Sequence, residues 1–141
     1  MPINADKPHL WKSDVERSID FYNDWFIANA QEEVDLRKSA EERNRLGQFP
    51  TPFPLACQIV ARALKSHPPD SPLIFLEPAA GTGVFFSALL RCASEAQISS
   101  AIGCEIDPAY GDIAESTWKP FGFQLLTRDF LDFASDPRNF G

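Results

Sequence analysis

Residues 73–83 read LIFLEPAAGTG, and their pattern is the strongest indication of the fold in the sequence. Its first four residues are an apolar run bounded by prolines, which predicts a short, buried parallel strand. Gly81 and Gly83 follow, and helix-like sequence begins at Val84. Glycine lets the backbone turn tightly and lets a ligand approach the main chain. The stretch therefore predicts a strand, a glycine turn and a helix whose first N–H groups suit a carboxylate or phosphate.

The alternation of helix and strand continues on both sides of this stretch. After it, residues 100–106 predict a second strand, and Asp107 with the following proline predicts a helix start. That helix should run to about Trp118, and residues 121–127 predict a third strand. The order of helices and strands is typical of a doubly wound α/β fold. The helix before the first strand is indicated by apolar residues at helical spacing, namely Phe53, Cys57, Val60 and Leu64.

The N-terminal part of the chain differs from this pattern. Ser13 and Glu16 have the spacing of a capping box, and aromatic and aliphatic residues follow at helical spacing as far as Phe26. Residues 31–46 are charged almost throughout and predict one solvated helix that ends at Gly47. We therefore divide the chain into an N-terminal helical extension, 1–46, and an α/β part, 47–141.

Composition limits the classes of function. The chain has 141 residues, of which 44% are hydrophobic and 23% charged, so one globular domain with a small core is expected. The net charge of −7 is unlike a surface that binds nucleic acid through its own phosphate contacts. The three cysteines have no zinc-type spacing, and the N-terminus has no apolar signal core. A cytoplasmic protein with neither metal site nor membrane contact is expected.

The glycine turn and the second strand together indicate which cofactor is expected. A dinucleotide fingerprint needs a third glycine three residues after Gly83, where this chain has Phe86, and this argues against NAD or FAD. Glu105 ends the second strand and can accept hydrogen bonds from both hydroxyls of a ribose, although it could also be a solvated strand-end carboxylate. An adenosine without a pyrophosphate points to S-adenosylmethionine.

Four segments resemble motifs of the adenine-specific DNA methyltransferases, and residues 11–16, WKSDVE, resemble the leader of a subgroup from bacterial restriction-modification systems. Residues 76–83 resemble the cofactor loop, and residues 47–52, GQFPTP, resemble the motif that precedes it. Residues 103–108, GCEIDP, resemble the ribose-binding strand end, and residues 127–131, TRDFL, resemble the segment beside the adenine pocket. The resemblance covers about residues 47–133. It implies a Rossmann-like class I S-adenosylmethionine-dependent methyltransferase fold with an incomplete parallel sheet, so that 47–141 would be a partial cofactor-binding domain.

The resemblance also implies which residues hold the cofactor. Gln48, through its backbone, and Thr51 would close over the methionine end. Glu105 would bind the ribose, and Asp129 would accept a hydrogen bond from the adenine amine. The remaining expected contacts flank the adenine or form the turn that holds the amino-acid end, namely Ile106, Phe130, Glu77, Pro78, Ala79, Ala80, Gly81, Thr82 and Gly83.

The sequence departs from the family at its C-terminal end. The family carries an Asn-Pro-Pro-Tyr or Asp-Pro-Pro-Tyr segment that holds the target amine and stacks on the flipped base, and residues 1–141 contain no such segment. We therefore expect the cofactor-binding portion of a site-specific DNA methyltransferase, with no catalytic residue of its own and no methyl transfer alone. DNA would be contacted through parts beyond this chain, and a restriction endonuclease would be a partner. The open sheet edge would favour self-association.

Three alternatives stay open at this point. The chain could be a non-catalytic module that binds a nucleotide or a partner protein, which agrees with the missing tetrapeptide. It could belong to a methyltransferase acting on RNA or protein, which would share the cofactor loop. A dehydrogenase-type domain is the third, and the missing third glycine disfavours it.

Overall fold

The computed structural model describes residues 27–93 and 97–139. The expected helix that starts near Ser13 and carries an aromatic face lies outside the described residues. Two short 3₁₀ turns lie at Lys119–Phe121 and Pro137–Asn139. The helices and strands, in chain order, are α1 (Ile27–Leu36), α2 (Ala40–Leu46), α3 (Phe53–Lys65), β1 (Leu73–Glu77), α4 (Val84–Cys92), β2 (Ile98–Glu105), α5 (Pro108–Trp118), β3 (Phe123–Thr127) and α6 (Phe130–Ala134).

The three described strands form one parallel sheet in the order β1-β2-β3. Phe75 lies opposite Ala101, which lies opposite Phe123. The predicted α/β alternation and the parallel pairing are confirmed. The third strand begins at Phe123 rather than at Phe121, because residues 119–121 form a 3₁₀ turn that ends at Gly122. Since the strands are parallel, their carboxyl ends meet at one edge of the sheet, where ligands bind in open α/β sheets.

The core lies on one face of this sheet and is mainly aromatic. Phe86 of α4 stacks on Phe123 with ring centroids 4.5 Å apart, and Phe75 lies 6.1 Å from Phe86. Trp118 packs edge-on against Phe86 at 5.8 Å and is fully buried. Helices α3, α4 and α5 all contribute buried residues to this cluster. A tight aromatic core of this kind holds the glycine turn, which precedes α4, in a fixed position on the sheet.

The opposite face of β1 is exposed in the described part of the chain. Ile74 is 76% exposed and Leu76 is 37% exposed. The prediction of a fully buried strand is therefore wrong for this face of β1. An apolar run of four residues specifies a strand, but it does not specify how many of its faces are covered.

The predicted single helix over residues 31–46 is wrong, because the chain breaks into α1 and α2. Ser39 caps α2 in a capping box, in which the Ser39 hydroxyl accepts from the Glu42 N–H and the Glu42 carboxylate accepts from the Ser39 N–H. The predicted end at Gly47 is confirmed, and within α1 the Arg37 guanidinium pairs with the Glu33 carboxylate at 2.8 Å. Helices α1 and α2 and their link, residues 27–46, are called the hairpin below.

Across residues 27–93 and 97–139, every helix is too short or too polar to cross a lipid bilayer.

Candidate functional site

A cleft of about 1080 Å³ opens at the carboxyl edge of the sheet. The hairpin, the loop at residues 47–52 and the glycine turn line it, together with the segments that follow β2 and β3. Ligand pockets commonly measure about 300–1,000 Å³. The cleft is therefore large enough for a nucleoside with a side chain attached.

The structure brings nearly all the predicted cofactor residues to this cleft. Gly83 lies outside its lining, because the glycine packs against the ring of Trp118. The need for glycine at position 83 is thus a packing requirement rather than an opening for a ligand. The predicted residues that line the cleft are Gln48, Thr51, Glu77, Pro78, Ala79, Ala80, Gly81, Thr82, Glu105, Ile106, Asp129 and Phe130.

Glu105 joins the glycine turn to the end of β2. One carboxylate oxygen accepts from the Gly81 N–H and the other from the Asp107 N–H, each at 2.9 Å. The residue is only 9% exposed, and burial raises the pKa of its carboxyl group, although the Gly81 hydrogen bond acts in the opposite direction. A carboxylate has about four lone-pair sites. Glu105 can therefore hold both backbone amides and still accept hydrogen bonds from a ligand in the cleft.

The glycine turn leaves its backbone open to the cleft. Gly81 has φ +53°, and a side chain added there would meet nothing within 4 Å. The Ala80 N–H donates to the Cys104 carbonyl at 2.8 Å, which anchors the turn to β2. Glu77 accepts from the Ala79 N–H at 3.2 Å, and burial raises the pKa of the Glu77 carboxyl. A ligand can therefore approach the main chain at Gly81 closely.

The side chains that border the adenine end of the expected site also reach the cleft. Asp129 caps α6, where one of its oxygens accepts from the Leu131 N–H at 2.7 Å. Among residues 27–93 and 97–139, no donor occupies its second oxygen. Ile106 is 55% exposed and lines the cleft, as does Phe130. These residues offer one carboxylate oxygen and two apolar surfaces to a flat ring.

The hairpin is attached to the cleft through polar side chains, which sequence reasoning missed. Thr82 donates to the Gln31 side-chain oxygen at 3.0 Å. The Tyr110 hydroxyl donates to Asp35 at 2.6 Å, and burial, with that hydrogen bond, raises the pKa of Tyr110. Gln31, Asp35 and Lys38 lie at i, i+4 and i+7, so a single polar helix face was visible in the sequence. The prediction of a solvated helix is therefore wrong for this face, because the face contacts the rest of the chain.

Lys38, Gln48 and Asp107 form a second attachment. The Lys38 ammonium donates to Asp107 and to the Gln48 side-chain oxygen, and the Gln48 amide donates to Asp107 at 2.7 Å. The Gln48 side chain therefore hydrogen-bonds to Asp107. The contact expected with the cofactor involves the Gln48 backbone and does not compete with this hydrogen bond. This cluster ties the hairpin and the loop at residues 47–52 to the turn between β2 and α5.

Replacing Lys38 with methionine should lower the free energy of unfolding by about 2 kcal/mol, because Asp107 would lose its cationic partner. The two side chains are only 17% and 12% exposed, so water cannot easily replace the contact. Arg37→Met is the matched control, because Arg37 is 70% exposed and its pair with Glu33 should contribute little. Urea unfolding checks both variants. Equal stabilities of the two would show that the cluster does not hold the hairpin.

Comparison with known families finds no family model that matches the chain. A stretch of 25 residues is 60% identical to a segment of the type II restriction enzyme SalI of Streptomyces albus G. The matched stretch spans 18% of this chain and 8% of that enzyme. The similarity is thus confined to a short segment, and it concerns a protein named as a restriction enzyme.

Proposed function

We propose that the cleft binds S-adenosylmethionine and that the chain is the cofactor-binding portion of a site-specific DNA adenine methyltransferase with a Rossmann-like class I fold. The observation that carries the proposal is the hydrogen bond between Glu105 and the Gly81 N–H, at 2.9 Å. The residue expected to bind ribose and the turn expected to hold the amino-acid end are 24 positions apart in the sequence, yet they meet in one cleft.

Each part of the ligand has matching side chains in this cleft. Glu105 would accept from the ribose hydroxyls with its remaining lone pairs. Ile106 and Phe130 would lie against the adenine, and the second oxygen of Asp129 would accept from its amine. The methionine portion would lie along the glycine turn, beneath Thr51.

The charge of the cleft favours a cationic ligand. Two arginines line it, Arg43 and Arg128, against five carboxylate side chains. A sulfonium and an ammonium group are attracted by such a surface, whereas the two negative charges of a dinucleotide pyrophosphate are repelled. This favours S-adenosylmethionine over NAD independently of the missing third glycine. The carboxylates are Glu32, Asp35, Glu77, Glu105 and Asp129.

In methyl transfer to adenine, the exocyclic amine attacks the sulfonium methyl group in line, and no covalent protein intermediate is needed. The contribution of this chain would be to hold the cofactor in one position for that attack. The net charge of −7 indicates that contacts to DNA phosphates would come from residues outside the chain. The short likeness to a protein named as a restriction enzyme favours a restriction-modification context.

Isothermal titration calorimetry tests the proposal with two ligands. The chain should bind S-adenosylmethionine and should bind NAD at least about tenfold more weakly, since only the first lacks a pyrophosphate. Adenosine alone serves as a control for the nucleoside contacts and should bind with intermediate affinity. Failure to bind S-adenosylmethionine, or an equal affinity for NAD, would contradict the assignment.

A further inference from the structure

Arg43 is a cleft residue whose donors are largely unused. It lies on α2 and lines the cleft, and its side chain is 32% exposed. Its Nε atom is buried and has no hydrogen-bond partner among the residues that the structure describes. A buried donor of this kind is costly unless something satisfies it. Since this atom is shut off from the cleft, a bound group would have to use the Nη groups, which belong to a side chain that is part exposed and lines the cleft.

The neighbouring Asp35 carboxylate attracts the Arg43 guanidinium but does not accept a hydrogen bond from it. The nearest Asp35 oxygen is 3.8 Å from Arg43 Nη1, which is beyond hydrogen-bonding distance. The other Asp35 oxygen already accepts from Gln31 at 3.1 Å and from Tyr110 at 2.6 Å. Asp35 thus stays fixed beside the guanidinium and orients it by charge. A guanidinium carries five N–H donors, which leaves a fork free for a planar anion.

The position of Arg43 indicates which part of the ligand it meets. Its backbone carbonyl accepts from the Gln48 N–H at 2.9 Å, so Arg43 lies where the loop leading to Thr51 begins. The other lining cation, Arg128, lies over the Phe133 ring and next to Asp129, at the opposite, adenine end. Of the two cations, Arg43 is therefore the one at the amino-acid end of the expected ligand.

We propose that Arg43 binds the α-carboxylate of the amino-acid portion of the ligand and selects ligands that carry it. The inference rests on the proposed function and assigns to this residue a recognition role within that site. The carboxylate would accept from the Nη groups of Arg43, and the surrounding carboxylates would face the sulfonium and ammonium charges. Recognition would thus depend on placing one anion beside one arginine in an otherwise acidic cleft.

The test compares S-adenosylmethionine with decarboxylated S-adenosylmethionine, which keeps the adenosine, the sulfonium and the amine. The unmodified chain should bind the carboxylated ligand about tenfold or more tightly, as expected for charge-assisted hydrogen bonds. Arg43→Met should abolish this preference without weakening the binding of the decarboxylated ligand, whose positive charges Arg43 repels. Arg43→Lys should restore part of it, because lysine keeps the charge and loses the fork.

Arg45→Met is the matched control, because Arg45 lies on the same helix, is exposed and does not line the cleft. It should keep the full preference for the carboxylated ligand. If Arg43→Met keeps the preference too, the role of Arg43 is refuted and the proposed function stands. If the unmodified chain binds neither ligand, the proposed function fails, and the inference fails with it. Binding of the decarboxylated ligand by Arg43→Met shows in the same titration that the variant is folded.

Discussion

Glu105→Gln should weaken the binding of S-adenosylmethionine by about a hundredfold, the largest loss expected from any single change in the cleft. The carboxylate accepts from the N–H groups of Gly81 and Asp107 and would also accept from the ribose. A glutamine has only one acceptor oxygen, so it could accept from only one of these two backbone N–H groups. Its NH₂ group would face the other N–H, and two donors cannot form a hydrogen bond. The variant would lose both the ribose contact and the clamp on the glycine turn. Calorimetric titration of the variant measures the loss.

Glu115→Gln is the control for this substitution. Glu115 lies on α5 and pairs with Lys119 at 3.2 Å, and it does not line the cleft. Its replacement should leave the affinity for S-adenosylmethionine unchanged. If the affinity of Glu105→Gln for S-adenosylmethionine also lies within about threefold of that of the unmodified chain, Glu105 does not contact the ligand.

Gly83→Ala should destabilise the fold by about 3 kcal/mol or more, through two effects that add. Gly83 has φ +94°, which disfavours any side chain, and a Cβ atom there would lie 2.3 Å from Trp118 Nε1. Trp118 cannot move away easily, because it is fully buried and donates to the Thr82 carbonyl at 2.8 Å. The free energy of unfolding in urea gives the cost.

Gly122→Ala separates the two effects. Gly122 has φ +85°, but an added Cβ atom would meet nothing within 4 Å. Only the backbone cost of about 1–2 kcal/mol should therefore appear at position 122. If the two alanine variants were equally stable, the close approach of Trp118 to the glycine turn would not exist in solution.

The elements that surround the glycine turn were predictable because their signals are local. The apolar run that becomes β1, the paired glycines and the Asp107 cap each specify a structure within a few residues. The parallel register then brings the strand ends together, which is why Glu105 and the turn could be expected at one site. Twelve of the thirteen predicted residues line the cleft. The glycine turn and Glu105 followed from these local signals, whereas the others were expected from the family resemblance alone, namely Gln48, Thr51, Ile106, Asp129 and Phe130.

The attachment of the hairpin was not predictable in the same way. Gln31 meets Thr82 across 51 positions, and Asp35 meets Tyr110 across 75. A charged helix predicts a solvated surface unless its polar partners are known, and those partners belong to elements that only the tertiary fold brings near. The Ser39 capping box was present in the sequence, but the continuous run of charged residues favoured a single helix.

A crystal structure of the chain with S-adenosylhomocysteine, the demethylated form of the ligand, would show whether the cleft binds this cofactor. We expect the ribose hydroxyls within about 3 Å of the Glu105 carboxylate and the homocysteine portion along the turn at Gly81. A ligand bound elsewhere, with Glu105 contacting only its two backbone amides, would contradict this proposal.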